Sequence, residues 1–433
     1  MNARGGQSLA KPMLLVSSGI LLSRVLGLGR DIVFARTWGT GTAMAAYVIA
    51  FTMPNLLRAL FGEGAFSASF VPVFSARLET DGRRSAWDSA CRVISVLALV
   101  LGGLIGVGIL AAVVGRFYAG SDLASLTLSL LPLFLPYGLF ICLVGAFAGV
   151  LHSVQRFAVP AYTPLLLNVA LIAGALLAAP LLGPDPERQI FILVPAVLSA
   201  GVLQLGLQVA ACRREGLSFR FLPDFRAPGV RRVALLMAPA VLGTAVVQVN
   251  VVVDRCLAGY LGSAATTGLY YSQRLIYVPV GLFGVAMSVV CLPAMSRASA
   301  RGDAHELVRG LRYSIRHVLF LTLPVVVLLA VSGPAVIRLL FEWGSFDAQS
   351  TRETAWALFF YLPGIPAFAC AKVAVTPFHA QQDTRTPVRV AAFCMVLNVV
   401  LNLVLMQFLR HGGLALATTV CSAVNVTVLF CLF

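Results

Sequence analysis

The sequence predicts an all-α polytopic membrane protein, with about twelve transmembrane helices in two six-helix lobes around a central cationic cavity. Three observations predict it. Hydrophobic residues fill 59% of the 433 positions and charged ones only 11%, against roughly 25% charged in a soluble protein. The apolar residues come in runs long enough to cross a bilayer, which takes about 20 residues of helix. Five basic side chains, Arg24, Arg30, Arg58, Arg274 and Lys372, sit inside those runs, with Asp31 and Glu63 the nearest acids.

The runs fall near residues 13–36, 43–74, 89–115, 123–150, 158–182, 189–211, 231–256, 265–295, 313–333, 352–379, 387–409 and 413–433. The first carries Arg24, Arg30 and Asp31 and lacks a short apolar core with a small-residue cleavage site, so it reads as a retained helix. The second is interrupted by Pro54, Gly62, Gly64 and Pro72, the pattern of a kinked helix or of two segments. FEWGSF (341–346) follows the ninth run and reads as an external loop or helix entry. In the eleventh, Asn398 and Asn402 share a helical face, the spacing of interhelical hydrogen bonding. The last run ends at Cys431-Leu432-Phe433 without a basic or aromatic-polar cap, which predicts a truncated form of a longer protein.

The loops alternate in charge. One set holds twenty basic residues, with clusters at Arg83-Arg84, Arg213-Arg214 and Arg231-Arg232. The other holds seven: Arg36, Arg116, Arg188, Arg255, Arg338, Arg352 and Arg410. Basic loops stay cytoplasmic, so the N-terminus is expected there, and twelve spans return the C-terminus to the same side.

A weak internal repeat divides the chain. Asp31, Gly39, Thr40 and Tyr47 line up with Asp254, Gly262, Ser263 and Tyr270 at a constant offset of 223, and FVPVFS (70–75) lines up with CLPAMS (291–296). That offset spans six helices. It predicts an N-lobe over residues 1–215 and a C-lobe over 216–433, related by an axis along the membrane normal.

The charges inside the spans are the candidate site. One at mid-bilayer costs about 2.5–3.5 kcal/mol on insertion scales, so such residues face a bundle interior or a wet cavity. Arg24 and Asp31, seven apart, share a helical face. Gly27 and Gly29 between them mark a hinge or a close backbone approach. Arg58 and Glu63 bracket a second flexible point at Gly62 and Gly64. The guanidinium fork suits phosphate oxygens, so three or four forks around a cavity point to an anionic ligand such as a diphosphate. Two blander accounts stay open: Arg30 with Asp31 as a structural pair, and Glu63 as the neutralising partner of Arg58. Lys372, near the end of its run, is expected to snorkel.

Several classes are excluded or disfavoured. The only lysines, Lys11 and Lys372, are not followed by Ser or Thr, so there is no Walker A loop. Basic residues spread between spans do not make a nucleic-acid surface. The nine cysteines include no CxxC and the five histidines no HExxH, so neither a metal site, a disulfide framework nor a cofactor is expected.

Five stretches carry a resemblance: SRVLGLGRDIVFARTWG (23–39), MPNLLRALFGEGAFSASFVPVFS (53–75), YYSQRLIYVPVGLFGVAMSVVCLPAMSR (270–297), LFEWGSF (340–346) and FHAQQDTRTPVR (378–389). Together they resemble the MurJ (MviN) lipid II flippases of the multidrug/oligosaccharidyl-lipid/polysaccharide exporter superfamily. The resemblance implies a two-lobed, inward-facing helical fold in the bacterial inner membrane. It implies movement of lipid II, the polyprenyl-diphosphate-linked disaccharide-pentapeptide, to the outer face for peptidoglycan synthesis, with membrane lipids and cell-wall synthesis proteins as further partners and no nucleic acid. It places substrate binding on Arg24, Arg30, Asp31, Arg58, Glu63 and Arg274. The chain departs from the family in having Ala59 after Arg58, where a second basic residue is common, and in showing twelve spans where fourteen are common. No covalent chemistry is implied, hence no enzyme. The alternatives are a flippase for another polyprenyl-diphosphate-linked glycan, a cation-coupled multidrug exporter disfavoured by the arginines, and a non-transporting cell-wall scaffold.

The charge asymmetry yields a direct test. In a cysteine-free background, a cysteine at position 347 is expected to react with a membrane-impermeant maleimide added from outside, and one at 226 is not. The reverse labelling pattern would overturn the orientation.

Overall fold

The computed structural model describes residues 4–62 and 64–433, and among these all regular structure is helical. The helices run in order as α1 (Arg4–Trp38), α2 (Thr42–Leu57), α3 (Gly64–Thr80), α4 (Gly82–Arg116), α5 (Asp122–Ser153), α6 (Ala158–Tyr162), α7 (Pro164–Ala173), α8 (Pro186–Gln189) and α9 (Leu193–Arg214). They continue as α10 (Pro228–Leu261), α11 (Ser263–Pro279), α12 (Ala286–Ala300), α13 (Ala304–Phe341), α14 (Ala348–Tyr361), α15 (Gly364–Ala374), α16 (Thr376–Ala380), α17 (Arg385–Leu409) and α18 (His411–Leu432). Among the described residues ten helical stretches are long and apolar enough to cross a membrane, or eleven if the pair Ala348–Tyr361 and Gly364–Ala380, bent by 50°, makes one span. α1, which carries Arg24, Arg30 and Asp31, is not among the ten. The protein is thus an all-α polytopic membrane protein.

The helices group into two compact units. The first holds residues up to Phe34 and Ile49–Ala245, the second Ala35–Val48 and Val246–Phe433.

In the first unit a ladder of rings fixes α3 against α4. Phe66, Phe70 and Phe74 stack at 5.0 and 5.4 Å, and Phe74 reaches Trp87 at 5.1 Å. All four rings are buried, the largest apolar payload available per residue. The chain between α9 and α10 lies strapped to the same unit. The Leu222 amide donates to the Ser95 hydroxyl at 2.9 Å, Arg92 pairs with Asp224 at 2.8 Å, and Arg156 pairs with Glu215 at 2.7 Å.

In the second unit the FEWGSF loop binds the end of α1. The Ser345 amide donates to the Arg36 carbonyl at 2.9 Å and its hydroxyl to the Thr37 carbonyl at 3.0 Å. The Thr40 and Ser350 hydroxyls meet at 2.7 Å, and the Tyr271 hydroxyl donates to the Gly39 carbonyl at 3.3 Å. Gly39 and Gly344 both have positive φ, +56° and +63°, and a Cβ on either would strike facing backbone. Only glycine fits at both. Asp347 caps α14 by accepting from the Ser350 amide and hydroxyl, and the amide bond above all holds its carboxyl below the usual range.

The interruption expected in the second run falls at neither proline, since Pro54 lies within α2 and Pro72 within α3. It is a π-helical turn over Arg58–Gly62. A second π turn, Val280–Val285, joins α11 to α12. The two occupy equivalent places in the sequence repeat, and each is set by a glycine. A Cβ on Gly62 would lie 3.1 Å from the Cys142 Cα, and one on Gly284 would lie 2.8 Å from the Ala369 Cα. The helix corners repeat as well: Gly39 and Gly262, aligned in the repeat, both have positive φ.

Gly145 on α5 faces the Gly62 carbonyl so closely that a Cβ there has no room. Gly145→Ala is therefore expected to cost about 1–3 kcal/mol through overpacking. Gly102→Ala, with open space around it, should be neutral or slightly stabilising because Ala favours helix. Thermal unfolding of the purified variants checks this, and equal melting temperatures for the two would contradict the tight approach of the π turn to α5.

Candidate functional site: arginines within the helices

In the first unit α1 is unbroken through Gly27 and Gly29, and a Cβ on either would meet nothing within 4 Å. The close backbone approach anticipated there is therefore absent among the described residues. Arg24, before these glycines, is exposed. Arg30, after them, is held. Its Nε and Nη2 donate to Asp31 Oδ1 at 3.0 and 2.7 Å, and its Nη1 donates to Asn168 Oδ1 on α7 at 3.2 Å. Asn168 in turn donates to the Ser23 carbonyl at 3.3 Å, and the Arg30 guanidinium lies 5.8 Å from the Phe34 ring. Asp31 is 1% exposed. The structural-pair reading of Arg30 and Asp31 thus describes their geometry: the pair docks α1 onto α7.

Arg58 opens the π turn after α2. A π bulge widens the helix by one residue and often marks a functional position. Here it sets Arg58 at the point where Gly62 packs on α5. Glu63, its expected partner, lies outside the described residues.

The second unit holds an open cavity of about 490 Å³, lined from α10, α11, α14, α15, α17 and α18. Arg274 lies on its wall. Its Nη2 donates to the Tyr270 hydroxyl at 2.9 Å and its guanidinium sits 4.6 Å from the centre of the Tyr270 ring, within cation–π range. Asn402 donates to Asp254 Oδ1 on α10 at 2.6 Å, the interhelical role expected of it, and to Asn398 Oδ1 one turn away in α17 at 2.7 Å. Lys372 is exposed in the last turn of α15.

Arg255 departs from its expected place. Its place at the end of a hydrophobic run puts it among the external loops by sequence. It lies within α10 and lines the cavity. Its Nη2 donates to Gln273 Oε1 at 2.7 Å, and Gln273 donates to the Tyr361 hydroxyl at 2.9 Å. The missed signal was in the repeat: Asp254 aligns with Asp31, and each acid has an arginine beside it. Hydropathy alone cannot tell a charge ending a helix from one turned into a polar pocket.

An all-α polytopic protein with an internal repeat and arginines inside its helices has the build of a membrane transporter for an anionic substrate. Comparison with known proteins specifies the family. The family described as Lipid II flippase MurJ matches residues 34–433. The lipid II flippase MurJ of Burkholderia cenocepacia is 33% identical over 433 residues, covering 98% of this chain and 83% of the relative. A solved lipid II flippase MurJ in an inward closed conformation superposes with a TM-score of 0.83 at 27% identity, covering 96% of this chain and 87% of that one. An inward-facing multidrug resistance MATE family transporter of the MOP superfamily has a TM-score of 0.77 at 14% identity, covering 97% of each chain, a likeness of fold alone. The chain belongs to the lipid II flippase MurJ family.

The geometry separates the arginines by role. Arg30→Ala leaves the Asp31 carboxylate buried without its guanidinium, a loss of about 3–5 kcal/mol for a broken buried pair. Arg24→Ala is expected to change stability by under about 0.5 kcal/mol, as at other exposed sites. Thermal unfolding in detergent measures both, and a stability loss at Arg24 as large as at Arg30 would refute the distinction.

Proposed function

We propose that the protein is a lipid II flippase of the bacterial inner membrane with a cytoplasmic N-terminus. It moves the polyprenyl-diphosphate-linked disaccharide-pentapeptide from the cytoplasmic to the outer leaflet by alternating access, supplying peptidoglycan synthesis. The observation that carries this reading is the family match over residues 34–433. The arginines supply the chemistry. Arg24, Arg58 and Arg274 are assigned to the diphosphate, with Arg30, Asp31 and Glu63 as the remaining members of the substrate-binding set, and each desolvated charge-assisted hydrogen bond contributes about 1.5–3 kcal/mol. Residues 1–215 and 216–433 form the two functional lobes. The polyprenyl tail stays in lipid while the headgroup crosses, so no bond is made or broken and the protein is a transporter rather than an enzyme. Cationic drugs do not suit a site built from arginines, which disfavours the multidrug activity named for the MATE neighbour.

Depletion tests this reading. Cells losing the protein are expected to lose lipid II exposure at the outer leaflet while cytoplasmic lipid II accumulates. Wild-type protein should restore exposure, whereas Arg24→Ala and Arg274→Ala should reach the membrane folded and restore less than about a tenth of it, as loss of one charge-assisted contact predicts. Unchanged exposure on depletion would point to a scaffold. Full restoration by either variant would remove that residue from the site.

A further inference from the structure

The two units treat the same side-chain pair differently. In the first, Arg30 on α1 grips its neighbour Asp31 through two nitrogens. In the second, at the equivalent place on α10, Asp254 is taken by Asn402 from α17, and Arg255 turns to the neutral carboxamide of Gln273. Arg255 makes no ion pair among the described residues. Its guanidinium is fixed instead by a short relay, Arg255 to Gln273 to Tyr361, whose last member is buried.

Arg255 and Arg274 line the same cavity of the second unit. Among the described residues the only carboxylate on that lining is Asp254, already engaged by Asn402. Two guanidiniums on one cavity wall repel each other, and the guanidinium fork suits a planar or tetrahedral oxyanion. Tyr270, Tyr277 and Asn250 add neutral polar groups around them. A cavity of about 490 Å³ is roomy for a phosphate-sized group and part of what it is attached to.

We propose that Arg255 and Arg274 form an oxyanion subsite within the second unit, in which Arg255 directly contacts an acidic group of the transported substrate. Gln273 and Tyr361 are positioning residues for Arg255. The subsite rests on the flippase reading, because Arg274 is taken as substrate-binding there. It adds a binding residue outside the set drawn from the family resemblance. The chemistry it recognises is an oxyanion, which the substrate carries both as diphosphate and as peptide carboxylate.

Equilibrium binding to the purified full chain in nanodiscs decides it, with two probes: farnesyl diphosphate, and a disaccharide-pentapeptide lacking diphosphate. Arg255→Gln is expected to weaken farnesyl diphosphate about tenfold or more, the loss of one charge-assisted contact. It should leave the disaccharide-pentapeptide within about twofold, and Arg255→Lys should fall between, since an ammonium keeps charge but not the fork. Weakening of the disaccharide-pentapeptide alone would uphold the subsite and assign it to the peptide carboxylates. No change for either probe, with Arg274→Gln still weakening farnesyl diphosphate, overturns the subsite and leaves the flippase reading intact. No change from either substitution overturns both the subsite and the assignment of Arg274. If Arg255→Gln does not fold, Arg255→Lys and Tyr361→Phe decide, and unchanged binding in both overturns the proposal.

Discussion

A guanidinium inside a membrane-spanning bundle must be met by something polar, because water is not there to do it. That constraint organises both units. In the first, Arg30 is met by Asp31 and Asn168, which ties α1 to α7. In the second, Arg255 is met by Gln273, and Asp254 by Asn402, which tie α10 to α11 and α17. Apolar packing against lipid-like surroundings distinguishes poorly among helix arrangements. These hydrogen bonds have fixed length and direction, so they select which helices meet and at what register.

The second organising device is backbone geometry repeated at equivalent places. A positive-φ glycine turns the corner after the first long helix of each sequence repeat, Gly39 after α1 and Gly262 after α10. A π turn then interrupts the next span, and a glycine in each lets a neighbouring helix come close: Gly62 against α5 and Gly284 against α15. The repeat is faint in side chains because only a few positions are constrained this way. Where the backbone tolerates any apolar residue, the two halves have no physical reason to stay alike.

Much of the fold was legible in the sequence. The apolar runs fall on helices from α1 to α18, because hydropathy over twenty residues reports the solvent directly. The loop role of FEWGSF and the pairing role of Asn398 and Asn402 were readable from glycine and from helical spacing. Three features were not. The break in the second run falls at Gly62, one of the interruptions the sequence shows, but its form does not follow from the sequence: it is a π turn over Arg58–Gly62, with Gly62 close against a helix eighty residues away. Arg255 was counted with the loops because a charge at the end of a run and a charge folded into a pocket look alike in one dimension. Of the residues assigned to the site, Arg30 and Asp31 are engaged with each other, as the structural-pair account allows, but their third partner, Asn168 on α7, is brought in only by the tertiary fold.

What unites these observations is the claim that arginines within the helices handle the acidic link between lipid and headgroup. Translocation in proteoliposomes tests it most directly. Purified protein is reconstituted with the same labelled disaccharide-pentapeptide headgroup attached to polyprenol through either a diphosphate or a monophosphate, and inward-to-outward movement is followed by accessibility to an external reagent. Movement of the diphosphate form at least about tenfold faster, as loss of a charge-assisted contact predicts, would bear the claim out. Equal rates for the two lipids would contradict it and move recognition to the sugar or the peptide.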